Sequence, residues 1–228
     1  MAQTPYECNN AQMGAEHGEL ESTRVTRMLR DDITLGRRLP GSRLVERDLA
    51  AELHVSRLPV REAIRALVSE GIVVTRPRSW ATVREFTLRD VRDFAEVRAA
   101  IESQVFVLAT ERHDLEGIEQ LRRLVEREEH AASAGHVDEA RLLSGAFHEH
   151  MAVLAGNEML LELVGIFATR LKWVFGQHTD LEAMAAEHRG LYEAILARDV
   201  EVVRRLVARH LEQGTAAAVK KFGGSAAR

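Results

Sequence analysis

The sequence predicts a mainly α-helical chain in two parts: a small basic one of residues 22–85 and a larger, acidic, all-α bundle of about six or seven helices over residues 86–220. Three observations carry this. Apolar residues recur at helical spacing through most of the 228 residues, and only four prolines interrupt them. Aromatic residues make up just 5% of the chain. Charge is also divided: residues 22–84 hold 13 arginines and no lysine against seven acidic residues, a balance of +6. The remainder carries 18 basic and 28 acidic residues, or −10. The overall net charge of −4 hides a basic module carried by an acidic one.

At 46% hydrophobic and 29% charged, the composition is that of a globular protein. No apolar run approaches the roughly 18 residues needed to span a bilayer, and the N-terminus lacks a secretory pattern. Cys8 is the only cysteine, which excludes an internal disulfide framework and suits a reducing compartment. A cytoplasmic protein with no membrane partner is expected.

Residues 1–21 lack periodicity and read as a mobile tail, as do residues 221–228. Ser22 is placed to cap a helix running to about Leu35, with Val25, Met28, Leu29 and Ile33 on its buried side. "LGRRLPGSRL" (35–44) is then a turn punctuated by Pro40-Gly41. A short helix follows at about 46–53, then the turn His54-Val55-Ser56. Ser56 is a suitable N-cap for the next helix, and Pro59 falls inside its first turn, where a missing amide donor costs little. Gly71 stops that helix, and the β-prone runs "IVVT" and "ATVRE" flank "RPRSW" as a hairpin. Helix, short helix, tight turn, helix and hairpin in that order make a winged helix-turn-helix, whose second paired helix is shaped to enter a DNA major groove.

That helix, in "VSRLPVREAIRALVSEG" (55–71), carries Arg57, Arg61 and Arg65 four residues apart, hence on one face, with Val60, Ile64, Leu67 and Val68 on the other. Arginine's planar fork bonds guanine O6 and N7 together or grips a phosphate. The candidate DNA contacts are Arg57 and Arg61, with Ser56 beside them and Arg47 reaching the backbone from the preceding helix. Arg65 stands further along, either too far from the groove or paired with Glu62 or Glu70.

The stretch "LPGSRLVERDLAAELHVSRLPVREAIRALVSEGIV" resembles the GntR family of bacterial transcription regulators, whose pattern runs PG..L.E..LA..L.VSR.PVREAL..L..EG. The match covers about 35 residues nearly without gaps, and it implies DNA contacts at Arg47, Arg57 and Arg61. One departure stands out: where the family has a glycine at the wing tip, "RPRSWATV" offers Ser79 and Trp80. The wing then grips DNA through Arg76 or Arg78, or Trp80 packs between the two parts of the chain.

From Thr87 onward, Thr87, Asp114, Asn157, Asp180 and Asp199 are N-caps for helices near 88–112, 115–134, 158–176, 181–198 and 200–220, with another at about 137–155. Among ten histidines, His17, His113, His130 and His136 sit in polar or terminal contexts and are read as solvated. His148, His188 and His210 each interrupt an apolar stripe, and a buried imidazole needs a partner. His188 and His210 lie about ten residues either side of the turn at Arg198-Asp199, so an antiparallel hairpin returns them to one level. From spacing alone, two readings stay open: a divalent-metal site suited to zinc or nickel, or buried histidines bonded to backbone and carboxylates. Arg98 and Arg170 also interrupt apolar stripes. Each either forks onto a ligand carboxylate or snorkels, or pairs with Glu102 or Glu162.

Residues 87–215 look like the FCD effector domain of the FadR branch of GntR regulators, in "EVRAAIESQVFVLA", "FHEHMAVLAGN" and "EHRGLYEAILARDVEVVRRLVARHL". In metal-binding members the ligands are an Asp-x-x-x-His pair and two later histidines. The resemblance places these on His148, His188 and His210, with Ser144 in the aspartate's position, which weakens or disables the site. It also implies a small organic acid as effector in this pocket, where Ser144 stands and where Arg98, part of the family phrase, or Arg170 is the candidate to bind it, and a homodimer on an imperfect palindrome of double-stranded DNA, acting as a repressor. The alternatives are the same regulator with no metal, or a three-histidine hydrolase. The latter lacks a base, since Glu149 is about 100° around the helix from His148.

Overall fold

The computed structural model describes residues 20–76, 79–176 and 178–223. The N-terminal part contains α1 (Glu21–Thr34), β1 (Arg43–Leu44), α2 (Glu46–Glu52), α3 (Arg57–Ser69), β2 (Val73–Val74) and β3 (Ala81–Val83). β3 is the central strand, pairing antiparallel with β1 (Leu44 opposite Ala81) and with β2 (Val73 opposite Val83). The chain therefore forms the predicted winged helix-turn-helix. β1 falls within the stretch that reads as a turn, because two residues are too few to show alternation. Leu20, not Ser22, occupies the N-cap of α1, with no side-chain capping bond. Val25, Leu29 and Ile33 of α1 and Val60, Ala63 and Leu67 of α3 are buried together, and His54 takes a positive φ in the turn between α2 and α3.

The rest is helical: α4 (Leu88–Arg112), α5 (Leu115–Ser133), α6 (Val137–Leu154), α7 (Glu158–Phe175), α8 (Leu181–Leu196) and α9 (Val200–Gly223). The predicted caps hold. Thr87 and Asp90 form a reciprocal capping box. Asp114, Asn157, Asp180 and Asp199 each accept a backbone N–H three residues on, at 2.7 to 3.2 Å. Each cap satisfies an amide that the first helical turn leaves without a partner. α4 packs along α9, and α5 lies against α6 and α8. α9 continues beyond the expected end at residue 220, because Phe222 is buried against Phe86 (ring centroids 6.2 Å). The N-terminal tail and Cys8 lie outside the described residues.

The two parts share one core. Phe86, at the junction, meets Phe94, Trp173 and Phe222 edge-on at 5.8, 5.0 and 6.2 Å. Arg30 of α1 donates from Nε and Nη2 to Glu70 at the end of α3 (2.8 and 2.5 Å). Thr169 of α7 donates to the same carboxylate at 2.9 Å. Gly71, at φ +76°, turns the chain immediately after α3, and a methyl group there would stand 3.0–3.3 Å from the Arg170 side chain. The expected cost of Phe86→Ala is about 3–5 kcal/mol, as for other buried aromatic truncations. It should appear as a lower urea midpoint by far-UV circular dichroism, and an unchanged midpoint would mean these rings do not join the two parts.

Candidate functional site

Two sites emerge, one on each part. On the winged part, an open groove is bounded by Glu46, Arg47, Arg57, Arg61, Arg65 and Trp80. Pro59 and Val60 bury the opposite side of α3, so its amphipathic pattern alone aims the arginines outward. Arg57 and Arg61 are exposed yet paired, both reaching Glu46. Arg47 contacts Asp48 at 3.0 Å, and Ser56 stands at the N-cap of α3 without a side-chain capping bond. Arg65 lines the same groove, and Glu70, one of its suggested partners, is taken by Arg30. Trp80 is 54% exposed and faces the arginines, which rules out packing between the two parts. Arg78 lies outside the described residues.

Inside the bundle, His148 (α6), His188 (α8) and His210 (α9) converge, each offering a ring nitrogen within 4.8 Å of the others. A carboxylate stands behind each ring. His188 Nδ1 donates to Glu128 at 2.8 and 3.0 Å, and His210 Nδ1 to Glu187 at 2.9 Å. His148 Nδ1 lies 3.4 Å from Glu102, the loosest of the three. An ionised carboxylate only accepts, so Nδ1 of His188 and of His210 carries the proton and their Nε2 atoms turn lone pairs inward, whereas His148 Nδ1 is buried without a hydrogen-bond partner. His148 Nε2 and His210 Nε2 are 3.3 Å apart, and His188 Nε2 is buried with no protein partner. Burial lowers the pKa of His148, against the pull of Glu102, and pushes His210 well below the usual histidine range. Both rings are therefore neutral at pH 7, the state that ligates metal.

A pocket between α4, α6 and α7 opens onto this cluster, walled by Arg98, Arg141, Ser144, His148, Lys172 and His178. Arg98 is 4% exposed; its Nε donates to Glu102 at 3.0 Å and its guanidinium covers the Phe175 ring at 4.7 Å. Its Nη1 is buried without a hydrogen-bond partner. Arg98, Glu102 and Phe175 thus form one stack at the pocket wall. Glu102 is held ionised down to about pH 2, since Arg98 and His148 outweigh its burial. Ser144 is buried and sits one turn before His148. The Lys172 stem crosses α6 at Gly145, where a methyl group would collide with its Cε, and its Nζ reaches Glu149 at 2.7 Å.

Several expectations need correction. Arg170 is not at the pocket. On α7, the pocket side is Val164, Ala168, Leu171 and Phe175, and Arg170 points the other way, over Phe94 (5.4 Å), with Nη2 on the Ile166 carbonyl. His113 is buried rather than solvated, its Nδ1 3.1 Å from the Ala109 carbonyl. Sequence reasoning also missed residues that matter here. Glu128 stands in the apolar stripe Leu121–Val125–Ala132, which was a usable signal. Arg141 shares a helical face with Ser144 and His148. His178, whose pKa burial drives down to about 4, sits on a connecting segment with no periodicity to reveal it.

Comparison with known proteins matches residues 21–83 to the bacterial regulatory proteins of the gntR family and residues 93–213 to the FCD domain. The chain belongs to the GntR family. This GntR-family protein is a DNA-binding transcription regulator and not an enzyme; Glu149, next to His148 in sequence, is bonded to Lys172. It is 26% identical to the HTH-type transcriptional repressor RspR of Escherichia coli (strain K12) over 193 residues, 83% of this chain and 85% of that one. It is 34% identical to the Nta operon transcriptional regulator of Aminobacter aminovorans over 151 residues, 65% of this chain and 70% of that one. The solved structure of E. coli McbR/YncC superposes with a TM-score of 0.78 at 22% identity, covering 90% of this chain and 100% of that one, a likeness of fold. No helix among the described residues is long and apolar enough to cross a membrane. For the GntR-family regulator, Arg61→Ala should weaken binding to a duplex selected from a randomised pool by on the order of tenfold or more if it reads a base pair. An equal loss on scrambled duplex, measured by fluorescence anisotropy, would instead assign Arg61 to phosphate contact.

Proposed function

We propose that this regulator is a homodimeric repressor that senses a small organic acid in a pocket containing a divalent metal. The observation that carries the reading is the convergence of three imidazole nitrogens, with the His188 and His210 rings oriented by Glu128 and Glu187 and the Glu102 carboxylate 3.4 Å from His148. Converging imidazole nitrogens, with His188 Nε2 buried and without a partner among them, form an unfavourable arrangement that a cation relieves. The donor set suits zinc or nickel, held by His148, His188 and His210. Ser144 stands where metal-binding members of the family have an aspartate, so the charge at this site is one unit more positive. A bound ion supplies positive charge for an acid's carboxylate, and the unpaired Nη1 of Arg98 adds a fixed donor at the same wall.

Coupling to DNA runs through α7. Its Leu171 and Lys172 line the pocket, while Thr169 bonds Glu70 at the end of α3 and the Arg170 side chain lies against Gly71. A ligand that prefers one placement of α7 therefore biases the reading heads, as any effector must. Met159, Leu163 and Ile166 run along the outer face of α7 at 65, 43 and 61% exposed, an apolar stripe suited to a second copy. Two reading heads related by a twofold axis fit an imperfect palindrome, where operator occupancy represses and release on effector binding relieves repression.

A metal-free pocket is the second reading. The 3.3 Å contact between His148 and His210 favours it, because one shared proton would satisfy both rings. That leaves His188 Nε2 without a partner, so the first reading is preferred. Competition against a chromogenic chelator distinguishes them. Wild type should bind zinc at one site per chain; His188→Ala should lose it, Ser144→Asp should tighten it, and Glu128→Gln should weaken it by about 10–100-fold. Stoichiometry unaffected by His188→Ala would defeat the metal reading. Arg98→Ala should keep the metal yet lose the release of DNA by candidate carboxylic acids, whereas Arg170→Ala should keep ligand affinity and change only the coupling.

A further inference from the structure

The arginines of the recognition helix are held by a carboxylate of the same domain. Arg61 donates from Nε to Oε1 and from Nη2 to Oε2 of Glu46, both at 3.0 Å. Arg57 Nη2 donates to Oε2 at 3.3 Å. Glu46 is the first residue of α2, so the positive end of that helix also favours its ionised form. One carboxylate thus stands among Arg47, Arg57, Arg61 and Arg65 in the groove that faces DNA.

On electrostatics alone, this carboxylate is misplaced. DNA carries a phosphate about every 1.7 Å along its axis, and a carboxylate in the groove repels all of them alike. Its geometry supplies the compensation. A guanidinium has five N–H donors. The bidentate bond to Glu46 occupies Nε–H and one Nη2–H of Arg61, leaving both Nη1–H bonds and the second Nη2–H. The free donors include a parallel pair at the far end of the group, the fork that matches guanine O6 and N7. The edge taken by Glu46 is the side edge, through which an arginine otherwise grips a phosphate sideways. The same contacts fix the plane of a long side chain that would otherwise lose its rotamer freedom on meeting a base.

We propose that Glu46 is a specificity-determining residue, clamping Arg61 so that its end-on fork meets a guanine while partly cancelling the charge of Arg57 and Arg61 toward non-cognate DNA. Repulsion of phosphate falls equally on every sequence. Pre-orientation helps only where a guanine stands opposite the fork. Glu46 therefore lowers binding in general and raises the ratio of specific to non-specific binding. It acts through Arg61 and is a positioning residue.

The test uses the full-length chain, a duplex selected from a randomised pool at moderate salt, and a scrambled duplex of the same composition. Binding is measured by anisotropy over a salt series for wild type, Glu46→Gln and Glu46→Ala. Both variants should bind the scrambled duplex about tenfold more tightly, with a salt slope steeper by about 0.9 for each additional phosphate neutralised. The selected-to-scrambled ratio should fall by about tenfold or more. Thermal melting by circular dichroism checks that the variants are folded. Arg61→Lys, which leaves Glu46 in place but cannot present a fork, should lose the ratio as well. Combining it with Glu46→Gln should cost no further discrimination. An unchanged ratio in either single variant, or equal weakening on both duplexes at constant slope, overturns the proposal.

Discussion

Charge buried away from water must find a partner within the protein, and this constraint shapes the helical part of the molecule. Glu128 and His188 are almost wholly enclosed, and neither is tolerable there alone. Pairing removes the difficulty and fixes which ring nitrogen carries the proton. The same rule operates at His210 with Glu187 and at Arg98 with Glu102. Glu128–His188 joins α5 to α8 and His210–Glu187 joins α9 to α8, so the polar centre helps set the register of the bundle.

A related economy appears on the winged part, where exposed charges are paired for orientation and not for burial. Glu46 holds two arginines in water, where an ion pair adds little stability. Its effect is geometric. Between the two parts, Glu70 serves both ends at once, accepting from Arg30 in the winged part and Thr169 in the bundle. The end of the recognition helix is thereby tied to α7, the helix that also walls the ligand pocket. Phe86 closes the seam with aromatic contacts to α4 and α7 of the bundle. The winged part is thus built into the base of the bundle, its core shared with α4, α7 and α9.

Helix positions and caps were legible because each depends on local chemistry: Thr87 and Asp90 meet three residues apart wherever that helix starts. The meeting of His188 with His210 was also legible, since one tight turn at Arg198-Asp199 makes the hairpin nearly one-dimensional. Arg170 misled for a related reason. Periodicity shows that a residue lies on a buried side of a helix, but not which neighbour buries it. α7 is covered on one side by the bundle and on the other by the winged part, so two opposite faces read alike. His178 left no trace, because a connecting segment has no period to break.

The sequence by itself determined the order of the helices and most of their bounds, the outward arginine face of α3 and the family, all of which follow from spacings within a few residues. Tertiary structure alone decided that Glu128, Glu187 and Glu102 stand behind the three imidazoles, that Arg98 and not Arg170 reaches the pocket, and that Glu46 holds the reading arginines. The ion pairs among these join residues 11 to 60 positions apart in sequence, on different helices. Which side chains meet across such distances depends on the rotation and tilt at which helices pack, and no local pattern encodes either.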